Sequence, residues 1–240
     1  METHFLQAKS ISQIYGSHQV LRDINININK PEIYGLLGPS GAGKTTLVKM
    51  IAGLESPSTG KIYVLNTEMP HLKVMEKIGY MAQSDALYSE LTAKENLNFF
   101  ASLYGLKKRT INHRLEQAFS SVGLEDAINQ KVGHYSGGMK RRLSLAIAMI
   151  HRPALLILDE PTVGIDPVLR QRIWKTFQEF KRNGTCIIIT THVMDEAEKC
   201  DRLGMVRDGR LMAEGTPEQL KAETDRATIE SAFLYYGGTE

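Results

Sequence analysis

At 240 residues and 42 % hydrophobic composition, the chain is long enough to bury one substantial core with a smaller subdomain attached, so one globular unit is expected. Lysine plus arginine (29) nearly balance aspartate plus glutamate (27), which argues against a surface built to wrap DNA or RNA. Cys186 and Cys200 have neither metal-ligand spacing nor the density of a disulfide-stapled domain, and no apolar run reaches the roughly 20 residues of a spanning helix, so the expected setting is the reducing cytosol.

The N-terminal Met1-Glu2-Thr3-His4 lacks the charged-then-apolar form of a signal peptide, and neither repeats nor low-complexity tracts occur. Ile24-Asn25-Ile26-Asn27-Ile28-Asn29 alternates strictly, which predicts a strand with isoleucines on one face and asparagines on the other. Ile33-Tyr34-Gly35-Leu36-Leu37 reads as a buried strand, followed by a glycine-rich turn and a helix-like run from Thr46 to Ile51. Thr92-Ala93-Lys94-Glu95 is a capping-box pattern, and Leu97, Phe100, Ala101 and Tyr104 follow at helical spacing. Ile111, Leu115, Ala118, Phe119 and Val122 form a second stripe that Gly123 can close. A third helix is expected from Ser136, carrying Leu143, Ile147 and Ile150 inward until Arg152-Pro153 breaks it. Residues 85–153 are therefore read as a helical subdomain inserted into an α/β core of residues 1–84 and 154–220.

Leu155-Leu156-Ile157-Leu158 restores the β pattern, Asp166-Pro167 opens a helix, and Ile187-Ile188-Ile189-Thr190-Thr191 is a β-branched strand. Such alternation predicts a largely parallel sheet with its ligand at the carboxyl ends of the strands. Asp208-Gly209 reads as a hairpin turn between residues 203–207 and 210–214, and Thr216-Pro217-Glu218-Gln219 as the capped start of the last helix. Residues 221–240 are read as a C-terminal tail, too short for an added regulatory domain.

Gly38-Pro39-Ser40-Gly41-Ala42-Gly43-Lys44-Thr45 matches the Walker A loop without a mismatch, between a predicted strand and a predicted helix that continues with Thr46. Its glycines let backbone N–H groups converge on phosphate oxygens, the helix N-terminus adds a favourable dipole, and Lys44 supplies charge for the β and γ phosphates. The Thr45 hydroxyl can hold Mg²⁺. Leu155-Leu156-Ile157-Leu158-Asp159-Glu160 has the Walker B form, in which Asp159 reaches Mg²⁺ through water and Glu160 can orient and partly deprotonate the attacking water. Ser136 as an N-cap with Gly137 and Gly138 behind it exposes a hydroxyl and free N–H groups, a second anion site in the same chain.

Tyr135-Ser136-Gly137-Gly138-Met139 resembles the ABC signature, usually Leu-Ser-Gly-Gly-Gln, and over about residues 3–220 the chain resembles the nucleotide-binding subunit of an ABC transporter. Gln83, in Tyr80-Met81-Ala82-Gln83, looks like the family's Q-loop glutamine, which touches Mg²⁺ and the attacking water. Val163-Gly164-Ile165-Asp166 resembles the D-loop, His192 the switch histidine near the γ-phosphate, and Tyr15 the aromatic that stacks on adenine. Tyr135 and Met139 depart from the usual leucine and glutamine but leave Ser-Gly-Gly intact. The run Ser136-Gly137-Gly138-Met139-Lys140-Arg141-Arg142 looks like the subgroup serving drug, antibiotic and polysaccharide-type exporters.

The resemblance implies a P-loop NTPase fold with a mainly parallel sheet, an N-terminal antiparallel β subdomain and an inserted α-helical subdomain. It implies ATP and Mg²⁺ as ligands and ATP hydrolysis as the activity. Gln83, Glu160 and His192 would serve catalysis, and Thr45, Gln83 and Asp159 the metal. Tyr15, the loop from Gly38 to Thr46, Ser136, Gly137, Gly138 and Asp166 would meet nucleotide, Ser136 and Gly138 from the opposite chain of a head-to-tail dimer. The implied partners are a second ABC ATPase subunit, identical or different, and a membrane-spanning permease subunit that keeps the chain on the cytoplasmic face of the cell membrane. One alternative is a soluble ABC ATPase acting on nucleic acid or ribosomes, against which stand the balanced charge and the lack of a long coiled-coil insertion or zinc-ligand cysteines. Another is a non-hydrolysing ATP-binding regulator, which the intact Glu160 and His192 argue against.

Overall fold

The computed structural model describes residues 4–84 and 86–238. Met1 to Thr3, Asp85 at the start of the expected helical segment, and Thr239 and Glu240 at the end of the expected tail lie outside the described residues.

Two sheets face each other. In the first, β1 (Leu6–Tyr15) lies antiparallel between β2 (His18–Ile28) and β4 (Thr59–Val64), with the short β5 (Thr67–Glu68) outside β4. The alternation expected from Ile24 to Ile28 is present: Ile24, Ile26 and Ile28 are buried and Asn25 and Asn27 exposed. The second sheet has the order β10-β9-β3-β8-β7-β6, formed by β3 (Ile33–Leu37), β6 (Ile78–Met81), β7 (Leu155–Asp159), β8 (Cys186–Thr191), β9 (Arg202–Arg207) and β10 (Arg210–Gly215). All neighbours in it are parallel except β10, which turns back on β9 through Asp208-Gly209, both at positive φ. Every residue of β3, β7 and β8 is buried, as expected for central strands covered on both faces.

The side chains of these strands alternate between two apolar clusters. Tyr34, Leu36, Leu155, Ile157 and Ile188 face α1 (Lys44–Ile51) and the antiparallel sheet, with the short α2 (Leu72–Met75) at its margin. Leu37, Leu156, Leu158, Ile187 and Ile189 face a layer of longer helices: α3 (Ala93–Leu103), α4 (Lys108–Ser121), α5 (Gly137–Met149) and α6 (Pro167–Arg182). Burying a large apolar side chain contributes about 1.5–3 kcal/mol, so the Ile173, Trp174 and Phe177 stripe suffices to fix the face that α6 turns inward. α5 approaches β6 so closely that a Cβ on Gly79 would lie 2.1 Å from the Ala148 carbonyl oxygen. The apolar stripes of α3, α4 and α5 and the sheet share one continuous cluster.

Helix ends follow the sequence signals. Thr92 and Glu95 form a reciprocal capping box for α3, Gly123 follows α4 at φ +63°, and Asp166 caps α6 with Pro167 in its first turn. The C-terminal reading needs correction. α7 (Met194–Ala197) is a single turn, and α8 (Pro217–Thr224), expected to be the last helix, is followed by α9 (Ile229–Tyr236) in the stretch read as a tail. Thr228 caps α9 by accepting from the Ser231 N–H, Ile229 and Ala232 bury in the helix-side cluster, and Arg207 donates to the Gly237 carbonyl at 2.8 Å. The apolar positions 229, 232, 233 and 236 carry the helical period that the tail reading passed over.

Candidate nucleotide site

The strand register assembles the site. Leu37 is level with Thr191, and Asp159 with Thr190, so the carboxyl ends of β3, β7 and β8 stop side by side. The Walker A segment leaves β3 at Gly38, whose N–H donates to the Thr191 carbonyl at 3.3 Å, and returns as α1. Gly43 sits at the helix N-cap with φ +97°, where an added Cβ would lie 2.6 Å from Leu21 Cδ2. No side chain caps α1 and no acidic residue occupies its first turn, so no side chain of that turn offsets its dipole, a setting that favours an anion. Lys44 is buried, and its ammonium donates to the Gly38 and Pro39 carbonyls at 2.6 and 2.9 Å. Burial pulls its pKa below the ordinary lysine value, with Glu160 and Asp159 opposing that pull.

Asp159 is only 1 % exposed. Thr45 donates to its Oδ2 at 2.9 Å and Thr190 to its Oδ1, both neutral donors. Its hydrogen bonds come from hydroxyls, while the Lys44 ammonium supplies positive charge nearby, and a buried carboxylate in such a setting favours further cationic partners. The hard oxygens of Asp159 and Thr45, at the mouth of a phosphate loop, form a donor set suited to Mg²⁺, which keeps several waters and takes few protein ligands. Glu160 adopts a left-handed backbone, φ +52°, a conformation that costs a residue with a side chain about 1–2 kcal/mol. Its N–H donates to Thr190 at both O (3.2 Å) and Oγ1 (3.0 Å), and its Oε1 lies 2.9 Å from His192 Nδ1.

The remaining expected residues occupy different positions. Tyr15, 44 % exposed at the end of β1, donates from its hydroxyl to Glu55 and stands beside Thr46. Burial and the Glu55 carboxylate raise its phenol pKa. Gln83 is exposed just beyond β6, and its carbonyl accepts from Arg141 Nη1 at 3.2 Å. Asp166 Oδ1 accepts from the Leu169 N–H at 3.0 Å, which makes it a helix cap within this chain. Ser136, Gly137 and Gly138 are exposed at the start of α5, away from this chain's own phosphate loop in sequence and element. The Ser136 hydroxyl accepts from the Met139 N–H at 3.2 Å. A Cβ on Gly137 or Gly138 would meet nothing within 4 Å, so packing inside the chain gives no reason for glycine at either position. The two departures in this segment are accommodated: Tyr135 is buried and donates to the Ala127 carbonyl at 2.7 Å, and Met139 packs on the helix-side cluster.

Three residues that sequence reasoning passed over support the site. Thr190 links Asp159 to the Glu160 N–H. Glu196, itself buried, accepts from Thr162 and from Thr191 (2.7 Å), tying the turn after β7 to the segment that carries His192. Arg141 donates to the Asp159, Glu160 and Gln83 carbonyls. Two threonines ending an otherwise apolar strand were a readable signal; the partners of Glu196 and Arg141 were not, because they arise from long-range packing. A cavity of about 1000 Å³ between α4 and α6, lined in part by Arg114, Arg152 and Phe180, shares no residue with the site.

Comparison with known proteins identifies the family and the fold. A family profile described as ABC transporter matches residues 21–163. The chain is 39 % identical over 236 residues to the probable multidrug ABC transporter ATP-binding protein YbhF of Escherichia coli (strain K12), covering 95 % of this chain and 41 % of YbhF. It therefore spans less than half the length of that relative. It is 41 % identical over 229 residues to the linearmycin resistance ATP-binding protein LnrL of Bacillus subtilis (strain 168), covering 93 % of this chain and 73 % of LnrL. A solved ATP-binding subunit of an ABC transporter superposes with a TM-score of 0.91 at 29 % identity, over 97 % of this chain and 99 % of that one. A dimeric post-hydrolysis state of an ATP-binding cassette with ADP and Pi superposes with a TM-score of 0.82 at 25 % identity, over 88 % of this chain and 98 % of that one. With the phosphate loop, the paired carboxylates and the signature segment placed on this fold, the chain belongs to the ABC transporter family.

Proposed function

We propose that the chain binds and hydrolyses MgATP and drives transport, in the export direction, through a separate membrane-spanning subunit. The observation that carries this reading is the convergence of Lys44, Thr45, Asp159, Glu160 and His192 at the carboxyl ends of three adjacent strands. The loop from Gly38 to Thr46 would cradle the phosphates, Lys44 would neutralise the β and γ groups, and Tyr15 would stack on adenine. Thr45, Asp159 and Gln83 would hold Mg²⁺, which when bound would supply positive charge to neutralise the phosphates. Glu160 would accept a proton from the attacking water, and His192, already in contact with Glu160, would hold that carboxylate in place.

The open glycines at 137 and 138 favour a second chain as the user of the signature segment. Ser136, Gly137, Gly138 and Asp166 would then face nucleotide bound to the opposite protomer, and two ATP molecules would join a head-to-tail dimer that hydrolysis loosens. Residues 85–153 would act as the helical unit that presents this segment. On the same unit Tyr88, Phe99 and Leu103 are exposed, the first two with ring centroids 5.0 Å apart, an apolar patch suited to a membrane-protein partner. Among the described residues no helix is long and apolar enough to cross a membrane, so the chain would sit peripherally on the cytoplasmic face. The names of YbhF and LnrL favour drug or antibiotic efflux. The test is phosphate release from MgATP by the purified chain together with co-purification from membranes. An active chain that brings down a multi-spanning protein supports the reading; an active chain that brings down ribosomes or nucleic acid favours the soluble alternative.

A further inference from the structure

Arg141 lies on α5, five residues beyond the Ser136 N-cap. Its guanidinium donates to backbone carbonyls: Nε to Glu160 O at 3.0 Å, Nη1 to Gln83 O at 3.2 Å, and Nη2 to both Asp159 O and Glu160 O. The Asp159 carbonyl belongs to the peptide plane before the Glu160 Cα, and the Glu160 carbonyl to the plane after it. A single nitrogen that bonds both oxygens fixes the angle between those planes, which is the backbone conformation of Glu160 itself. That conformation is left-handed, a region in which a residue with a side chain stays only when its surroundings hold it. From the other side, Thr190 takes the Glu160 N–H. The direction of the Glu160 Cα–Cβ bond, and with it the carboxylate beside His192, depends on this clamp.

We propose that Arg141 is a positioning residue that aims the Glu160 carboxylate and transmits to it any shift of α5, the helix whose first turn carries Gly137 and Gly138. The proposal rests on the reading of Glu160 as the base. The planar fork of a guanidinium serves three carbonyls at once, which a lysine ammonium on a flexible stem does less well. Because α5 would meet the partner protomer's nucleotide at its N-terminus, seating of that helix and alignment of the base become one movement. Through Nη1 the same group also holds the Gln83 carbonyl, just beyond β6.

The test compares wild type, Arg141→Met, Arg141→Lys, Glu160→Gln and the Arg141→Met/Glu160→Gln double variant, each as the purified full chain. Hydrolysis is followed by phosphate release and MgATP affinity by equilibrium binding. Arg141→Met should lower kcat by about a hundredfold, the scale expected when a reacting group is misplaced by about 1 Å, with MgATP affinity unchanged. Arg141→Lys should recover part of the loss. The double variant should hydrolyse no more slowly than Glu160→Gln alone, because both changes act through one carboxylate. A merely structural contact would weaken MgATP binding together with kcat and add its loss to that of Glu160→Gln; that pattern, or an unchanged kcat in Arg141→Met, overturns the proposal. If Arg141→Met does not fold, Arg141→Lys carries the comparison, with a reduced kcat at unchanged affinity expected and wild-type kcat against it. If Glu160→Gln itself keeps the wild-type rate, the assignment of Glu160 fails and takes the proposal with it. If Glu160→Gln is inactive while Arg141→Met is fast, only the role of Arg141 fails.

Discussion

His192 Nδ1 lies 2.9 Å from Glu160 Oε1, and the two residues reach that contact from adjacent parallel strands. Where the proton sits on Nδ1, that nitrogen donates to the carboxylate and the imidazole orients Glu160. Glu160→Gln keeps the shape and an acceptor oxygen for His192 but removes the carboxylate proposed as the base. Hydrolysis should fall by roughly a hundredfold to ten-thousandfold while MgATP binding persists. His192→Ala should lower hydrolysis less, since the base remains and only its orientation is loosened. Single-turnover phosphate release with parallel binding measurements checks both, and a Glu160→Gln chain that hydrolyses at the wild-type rate would falsify the assignment.

Lys44 is the one lysine within the phosphate loop, and burial already strains its charge. Lys44→Ala should weaken MgATP affinity by at least about tenfold, the size expected from losing a charge-assisted contact of about 1.5–3 kcal/mol. The fold should survive, because the aliphatic part of the side chain lies at the start of α1 and the helix keeps its Leu47, Val48 and Ile51 anchors. Isothermal titration beside a thermal melt separates the two effects; affinity equal to wild type would remove Lys44 from the phosphate site.

How much of this was readable from residues alone differs by element. The Walker A segment, the alternating isoleucines of β2 and the capping boxes at Thr92 and Thr216 were legible because each is a local signal within a few residues. β1 was less so: its burial pattern breaks where Ser10 takes φ +50° and the register shifts between Ala8 and Ile11, which interrupts a period of two. The clamp on Glu160 was invisible for another reason. Arg141, Thr190 and Glu160 meet only once α5 is packed on β6 and β7, and an arginine after a glycine-rich cap otherwise reads as a solvated face. The open space around Gly137 and Gly138 likewise exists only in the folded chain, since the sequence records the absence of a side chain but not what lies beyond it.

His151 gives a pH dependence with a definite sign. Its ring stacks on Tyr104 with centroids 3.7 Å apart, and burial, reinforced by Arg114, lowers its pKa to about 4. The unfolded chain takes up a proton on this residue near pH 6.5 while the folded chain does not, so stability is full above that pH and falls as the pH drops toward 4. The slope from this residue is at most about 1.4 kcal/mol per pH unit inside that window. His151→Phe keeps the stacked ring and removes the proton. Urea midpoints at pH 7.5 and pH 5 should therefore diverge less in the variant than in wild type, and an equal divergence would show that His151 is not the group responsible.

The most direct measurement asks whether two chains share each ATP site. A chain carrying both Glu160→Gln and Ser136→Arg is mixed with wild type, heterodimer formation is verified with two affinity tags, and ATP hydrolysis by the isolated heterodimer is measured. If Glu160 of one protomer works on nucleotide that meets Ser136 of the other, each composite site holds one damaged component, and the heterodimer should be nearly inactive. If each chain instead carries a complete site of its own, the wild-type half keeps about half the activity of a wild-type dimer, as independent sites add. That second result would contradict the shared site and leave the open glycines of α5 without their partner.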